Sequence, residues 1–140
     1  MKKTGSPKKS NGLCPCCSGK LYADCCGPLH QGEFPPNALA LMRSRYSAYA
    51  LQNVSYIMRT TDSANPSWQV DQAKWGEEIL HFCQNTEFQK LEILDFSDGT
   101  DTATVTFIAH LRQDKKPFQL KEKSLFVKKG PQWLYKEGIS

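Results

Sequence analysis

The chain carries CPCCSGKLYADCCG at residues 14–27, which places five of its six cysteines within thirteen positions. Two pairs, Cys14-x-Cys16 and Cys25-Cys26, bracket a loop of eight residues. Zinc prefers a tetrahedron of four thiolate or imidazole donors, and the two pairs supply four thiolates. This stretch therefore predicts a zinc site.

Disulfide bonds are the alternative use of these thiols. The chain begins without an apolar leader and holds no apolar run of membrane-spanning length, so we expect a cytoplasmic protein whose thiols stay reduced. A bridge between the adjacent Cys25 and Cys26 would close a strained ring, and one between Cys14 and Cys16 is little better. Four protein ligands leave no position on zinc for water, which favours a structural site over a catalytic one.

Two neighbouring side chains leave the ligand set open. Cys17 could replace Cys16 as a ligand or remain a spare thiol, and His30 could displace one of the cysteines. Four thiolates around one Zn²⁺ carry a formal charge of about minus two, so we expect Lys20 and loop amide groups to offset it.

The pattern C-x-C-x-S-G-x5-C-C at residues 14–26 resembles the SEC-C motif, a short zinc-binding element found at the end of the SecA translocation ATPase. Cys17 stands where the motif usually has glycine, and this position is not one of the motif's ligand positions. The resemblance implies four zinc ligands: Cys14, Cys16, Cys25 and Cys26.

Two further runs, at residues 27–30 and 40–50, are similar to the YchJ family of small bacterial proteins. In that family a SEC-C element precedes a cone-shaped α+β domain that resembles nuclear transport factor 2 and is also described as cystatin-like. The resemblance covers nearly the whole chain. It implies an N-terminal zinc knuckle followed by helices wrapped by a curved antiparallel sheet, and it implies no activity, because the family has none established.

The sequence divides into a basic tail at 1–12, the SEC-C motif or knuckle at 13–30, a linker at 31–37 and the cone at 38–138. A chain of 140 residues can build one modest core. The chain after the tail carries equal numbers of basic and acidic residues, which gives weak support for nucleic-acid binding. We expect the tail to be disordered. The formal net charge of +4 has its origin in four lysines of the tail: Lys2, Lys3, Lys8 and Lys9.

Apolar residues recur at three- and four-residue steps after Asn37, which predicts a capped helix over about 38–53. Arg43 and Ser47 fall on the other side of this helix. Residues 54–60 predict a second, shorter helix. The inward face of the first helix holds Leu39, Met42, Tyr46, Tyr49 and Ala50.

Asp71 is predicted to cap a third helix over 72–83, and a period of two after Asn85 predicts strands. Helices followed by an antiparallel meander give an α+β architecture. The inward face of the third helix would hold Trp75, Ile79, Phe82 and Cys83. The predicted strands cover 87–97, 100–112, 118–128 and 132–136. One face of the longest strand carries Ala103, Val105, Phe107, Ala109 and Leu111.

A curved sheet over helices leaves a cone with an open mouth, where proteins commonly hold small ligands. In the plainer interpretation the aromatic residues belong to the core, one arginine pairs with Glu92 or Asp95, and His110 lies on a solvated strand face. No acid or nucleophile can be placed beside His110 from sequence, so we assign no catalytic residue. Six residues are candidates for lining the pocket: Arg43, Arg45, Tyr46, Tyr49, Trp75 and His110.

The leading functional hypothesis is a non-enzymatic interaction module whose zinc knuckle contacts a protein or ribosomal partner. The similar element of SecA is thought to contact a chaperone and lipid or ribosomal surfaces, which supports such partners by analogy only. One alternative is a small-molecule binder or enzyme that uses the cone. Another is RNA binding through the knuckle and the basic tail. A homodimer paired through the open face of the sheet is also consistent with the sequence.

Overall fold

The computed structural model describes residues 12–140, so the predicted basic tail lies outside the described residues apart from Gly12. In this range a short 3-10 helix at Tyr22–Asp24 leads into four α-helices and then four β-strands. None of these helices is long and apolar enough to cross a membrane. The α-helices are α1 (Cys26–His30), α2 (Ala38–Ala50), α3 (Val54–Arg59) and α4 (Gln72–Gln84). The strands are β1 (Glu87–Ser97), β2 (Thr102–Gln113), β3 (Lys116–Lys129) and β4 (Gln132–Gly138).

Polar side chains cap the three longer helices at their N-termini. Asn37, Asn53 and Asp71 each accept a hydrogen bond from the backbone amide three residues ahead, at α2, α3 and α4 respectively. α2 ends at Ala50, slightly earlier than predicted. The cause is Gln52, whose φ of 61° is left-handed and cannot continue a right-handed helix.

The four strands form one antiparallel sheet in the order β1-β2-β3-β4. β3 begins at Lys116, two residues earlier than predicted. Asp114 and Lys115 have left-handed φ values of 50° and 66°, and two such residues form the tight turn that suits twisted hairpin strands. Pro117 therefore lies within a strand, opposite Arg112.

Irregular pairing curves the sheet around the helices. Register shifts interrupt the β1–β2 ladder after Phe88 and after Ile93, and the β3–β4 ladder after Leu125. Such bulges bend a strand and increase its local twist. The remaining strand bounds differ from those predicted by small amounts, since β2 begins at Thr102 and β4 runs to Gly138.

The core lies between the concave face of the sheet and the helices. Phe126 and Trp133 extend it across the sheet, and Tyr56 and Ile57 contribute from α3. Phe82 was predicted to face inward but is 36% exposed, because it lies at the edge of a cavity. The predicted α+β class with a curved antiparallel sheet is confirmed. The buried face of β2 is the predicted one: Ala103, Val105, Phe107, Ala109 and Leu111.

Candidate metal centre

Four cysteine thiols converge in the knuckle. The Sγ atoms of Cys14, Cys16, Cys25 and Cys26 all lie within 4.8 Å of one another. Cys25 Sγ is 3.7 Å from Cys16 Sγ and 3.9 Å from Cys26 Sγ. Thiolates about 2.3 Å from one tetrahedral ion stand about 3.8 Å apart, so the observed spacing suits a single ion. These four cysteines could therefore bind a metal ion.

A small hairpin presents the first two of these thiols. Its arms meet at Leu13 and Leu21, and the amide of Cys14 donates to the carbonyl of Lys20 at 2.8 Å. Cys17 lies in the connecting turn with a left-handed φ of 67° and an exposed side chain. Cys17 is therefore outside the four-thiol group.

A 3-10 turn followed by α1 presents the other two thiols. A Cβ atom on Gly27 would lie 2.8 Å from the carbonyl oxygen of Tyr22, which is closer than real Cβ contacts come. Glycine at this position lets α1 fold tightly against the preceding turn. Ser18 Oγ lies 3.2 Å from Cys25 Sγ and can donate a hydrogen bond to a thiolate there.

A polar stripe on α2 holds the knuckle against the cone. Ser47 Oγ lies 3.2 Å from Cys14 Sγ, and Arg43 Nη1 donates to the carbonyl oxygen of Cys16 at 2.8 Å. Arg43 and Ser47 do face away from the cone's core, as predicted, but the knuckle covers that side and Ser47 is fully buried. α2 therefore has two buried faces, one apolar and one polar.

His30 joins α1 to α2 through both ring nitrogens. Nε2 lies 2.8 Å from the carbonyl oxygen of Ser44, and Nδ1 lies 2.6 Å from the hydroxyl oxygen of Tyr22. A carbonyl can only accept, so Nε2 carries the proton and Nδ1 accepts from Tyr22. Burial lowers the pKa of His30, which favours this neutral ring. His30 is thus engaged elsewhere and lies outside the four-thiol group.

The thiols strongly affect one another's ionisation. Hydrogen bonds from the thiols of Cys14 and Cys26 lower the pKa of Cys16. Hydrogen bonds with Cys14 and Cys16, together with burial, raise the pKa of Cys26. A thiolate at Cys26 would lie beside the thiolate of Cys16, which is unfavourable. Full ionisation of the group therefore requires a cation to take up the charge.

The six candidate pocket residues separate into two groups. Arg45 and Tyr49 line two adjoining cavities in the cone, of about 520 and 230 Å³; Trp75 lines the wider one and Tyr46 the narrower one. Arg43 instead faces the knuckle. His110 lies on the outer face of the sheet, where Nε2 contacts a carboxylate oxygen of Glu92. The structure therefore does not bring Arg43 or His110 to the cone's interior.

Arg45 has partners that the sequence did not indicate. In place of a carboxylate, Nη1 contacts the carbonyl oxygen of Ile57 at 3.1 Å and the hydroxyls of Thr60 and Thr61 at 2.8 and 3.0 Å. Its guanidinium carbon lies 4.8 Å from the ring centre of Tyr135. No periodic pattern marks these residues, because the threonines end a short helix and Tyr135 comes from the last strand.

Family models match both parts of the chain. A model described as "YchJ, middle NTF2-like domain" matches residues 37–138. A model of the SEC-C motif matches residues 11–28. The first match alone spans more than half of the chain, and the second covers the four clustered cysteines.

Similar proteins and solved structures agree with these matches. A UPF0225 protein of Bordetella parapertussis is 37% identical over 136 residues, covering 94% of this chain and 96% of that protein. A SEC-C motif containing protein from Rhodopseudomonas palustris has a solution structure with a TM-score of 0.77 at 35% identity, covering 91% of this chain and 97% of that one. A second such protein, from Psychrobacter arcticus, has a crystal structure with a TM-score of 0.71 at 28% identity, covering 87% of this chain and 78% of that one.

Proposed function

This chain belongs to the YchJ family, and its relative in Bordetella parapertussis is designated a UPF0225 protein. We propose that the knuckle of this chain is a structural zinc site that presents a rigid surface to a protein or ribosomal partner. One observation carries the proposal. The four Sγ atoms of Cys14, Cys16, Cys25 and Cys26 lie together at tetrahedral spacing, and three of these residues are buried. In this proposal the protein is not an enzyme.

Zinc is the ion we assign because the donor set consists of four soft thiolates in a compact group. Iron also accepts such a set, so the metal content has to be measured. Four protein ligands fill the tetrahedron and leave no position for a reacting water. The proposed role is therefore structural. Thiolate ligands also need a reducing compartment, which supports a cytoplasmic location.

The zinc ion would link two pieces of chain that have little other structure. Cys14 and Cys16 come from the hairpin, whereas Cys25 and Cys26 come from the 3-10 turn and α1. Hydrogen bonds to α2 then fix the linked pieces against the cone. The knuckle would act as a fixed part of the surface, which lowers the entropy lost when a partner binds.

The outer surface of the hairpin supports a protein partner. Leu13 and Leu21 are 41% and 48% exposed, and Lys20 beside them is also exposed. Leu13 and Leu21 are paired across the hairpin, so their side chains form one contiguous apolar patch, and contiguous exposed apolar patches are a feature of protein-binding surfaces. We assign this patch, Leu13, Lys20 and Leu21, as the contact surface of the knuckle.

Two alternatives remain as proposals. RNA binding depends mainly on the tail lysines, which lie outside residues 12–140, and its affinity would fall steeply with salt. A pocket that holds His110, an arginine and a carboxylate together would support an enzyme that uses the cone. His110 lies on the opposite face of the sheet, so this combination does not support catalysis.

Metal content tests the zinc assignment. Native mass spectrometry of protein purified without added metal should find one zinc ion per chain. A variant combining Cys25→Ser and Cys26→Ser should carry none, while Cys17→Ser should keep the ion. Protein without metal, or zinc retained in the double variant, would contradict the assigned site.

Partner capture by matched variants tests the contact surface. Leu21→Asp should lose partners that the wild type retains, with its zinc content unchanged. Leu94→Asp, at a leucine of β1 that is 47% exposed, is the control and should retain them. If the two variants capture the same proteins as the wild type, the hairpin patch is not the contact surface, whatever the metal content.

A further inference from the structure

The cone contains a buried positive charge that forms no ion pair with a carboxylate of residues 12–140. Arg45 is 6% exposed, and none of the ion pairs among residues 12–140 includes it. Its three protein hydrogen bonds all use Nη1, and their acceptors are a carbonyl and two hydroxyls. A desolvated charge is costly unless an opposite charge compensates it.

The other donors of Arg45 are available to the cavities. Nε and Nη2 have no acceptor among the described residues, and the side chain lines both the wide and the narrow cavity. These two nitrogens carry N–H groups that lie in one plane. A planar guanidinium edge of this kind binds a carboxylate through two parallel hydrogen bonds.

Two carboxylates line the same cavities as Arg45, and each accepts hydrogen bonds from other side chains. Glu122 lines the narrow cavity and contacts the hydroxyls of Ser124 and Tyr135. The Tyr135 ring stacks against the Arg45 guanidinium. Glu78 lines the wide cavity from an exposed position and accepts a hydrogen bond from Gln69 at 2.7 Å.

The wide cavity has the size and walls of a small-molecule site. Its volume of about 520 Å³ lies within the range of ligand pockets. Tyr49, Trp75, Ile79 and Phe82 give it apolar walls, while polar groups such as Asn65 also line it. A ligand seated there would combine an anionic end at Arg45 with an apolar body.

We propose that the cone binds a small organic carboxylate, with its carboxylate on Arg45 Nε and Nη2 and its aromatic or aliphatic body against Tyr49, Trp75 and Phe82. The ligand would supply the missing counter-charge. This site is separate from the metal centre, so a test of carboxylate binding does not depend on the zinc assignment.

Binding by simple probes tests the proposal without altering the protein. The zinc-loaded full chain is titrated with benzoate, 4-phenylbutyrate and decanoate while amide and indole NMR signals are followed. The indole signal of Trp75 should shift in a saturable way with at least one probe. The matching primary amide should bind at least about tenfold more weakly, because it lacks the charge.

Substitutions of Arg45 provide a second test of the proposal. Arg45→Gln should lower carboxylate affinity to that of the amide, and Arg45→Lys should restore part of it. Arg112→Gln changes a half-buried arginine that pairs with Glu87 and lines neither cavity, so it should leave affinity unchanged. If Arg45→Gln fails to fold because its buried hydrogen bonds are essential, the comparison of carboxylate and amide on the wild type tests the proposal by itself. Equal affinity of acid and amide, or no saturable shift with any of the three probes, would overturn the proposal.

Discussion

Ser47 on α2 places its hydroxyl oxygen 3.2 Å from the sulfur of Cys14, although 33 residues separate the two in sequence. A metal-bound thiolate has no proton, so in the loaded site the hydroxyl must be the donor. The contact therefore makes α2 part of the surroundings of the proposed metal site. Groups that bond to metal ligands orient them and tune their basicity.

Ser47→Ala should weaken metal binding although it changes no ligand. The variant removes the hydrogen bond to Cys14 inside a buried contact, and losses of this kind cost about tenfold or more in metal affinity. Competition against a chromophoric chelator measures the effect. Ser63→Ala, at an exposed serine, is the control. Equal affinity of the two variants would show that the contact has no effect on the site.

Removal of the metal should disorder the knuckle and leave the sheet intact. The hairpin, the 3-10 turn and α1 are short elements that the proposed ion would join, whereas β2 is paired along its length with β1 and β3. Chelator treatment should therefore shift or broaden the amide NMR signals of residues 13–30 and of Ser44 and Ser47. Signals of β2 should stay in place. A collapse of the whole spectrum would mean that the cone depends on the ion for folding.

Gly27→Ala and Gly76→Ala should change stability in opposite directions. The new Cβ at Gly27 would meet the Tyr22 carbonyl oxygen at 2.8 Å, so the knuckle should lose roughly 1–3 kcal/mol. At Gly76 on α4 the Cβ would meet only side chains, at 3.5 Å or more, and the helix should gain about 0.5–1 kcal/mol. Chemical denaturation of both variants measures the difference. Equal changes in the free energy of unfolding would contradict it.

Asp62 should contribute stability that is lost in acid. Its buried carboxylate pairs with Lys129, and this ion pair lowers the pKa of Asp62 in the folded protein. The contribution is complete above the unfolded pKa of about 4 and disappears as the pH falls through the lower folded value. Asp62→Asn should therefore be less stable at pH 7 and show a flatter loss of stability below pH about 4.

Denaturation curves at several pH values for wild type and Asp62→Asn separate the contribution of the Asp62–Lys129 ion pair from other effects of acid on stability. Asp98→Asn, at an exposed aspartate, is the control and should follow the wild type. A parallel pH dependence for wild type and Asp62→Asn would show that the ion pair makes no net contribution.

Much of the fold could be predicted because one strong signal marks each part. The spacing of Cys14, Cys16, Cys25 and Cys26 indicated the knuckle, and the alternation along β2 indicated which of its faces is buried. Asn37 and Asp71 marked helix starts correctly. These signals are local, so they require no knowledge of what packs against them.

The contacts between the parts could not be predicted. Periodicity identified only the apolar face of α2, and the burial of Ser47 depends on where the knuckle docks. The environment of Arg45 depends on Tyr135, which lies 90 positions later in the chain. The contact of His110 with Glu92 depends on a strand register that bulges alter. Each of these features requires the tertiary fold.

The order in which the sites appear during synthesis follows from where their residues lie in the chain. All four clustered thiols leave the ribosome within thirteen residues of one another, so the metal loop can close before the sheet exists. The stacking partner of Arg45, Tyr135, belongs to β4, which is made after the other three strands of the sheet. The proposed metal site can therefore close before any strand is made, and the cavity at Arg45 is completed only after β4 has paired with β3.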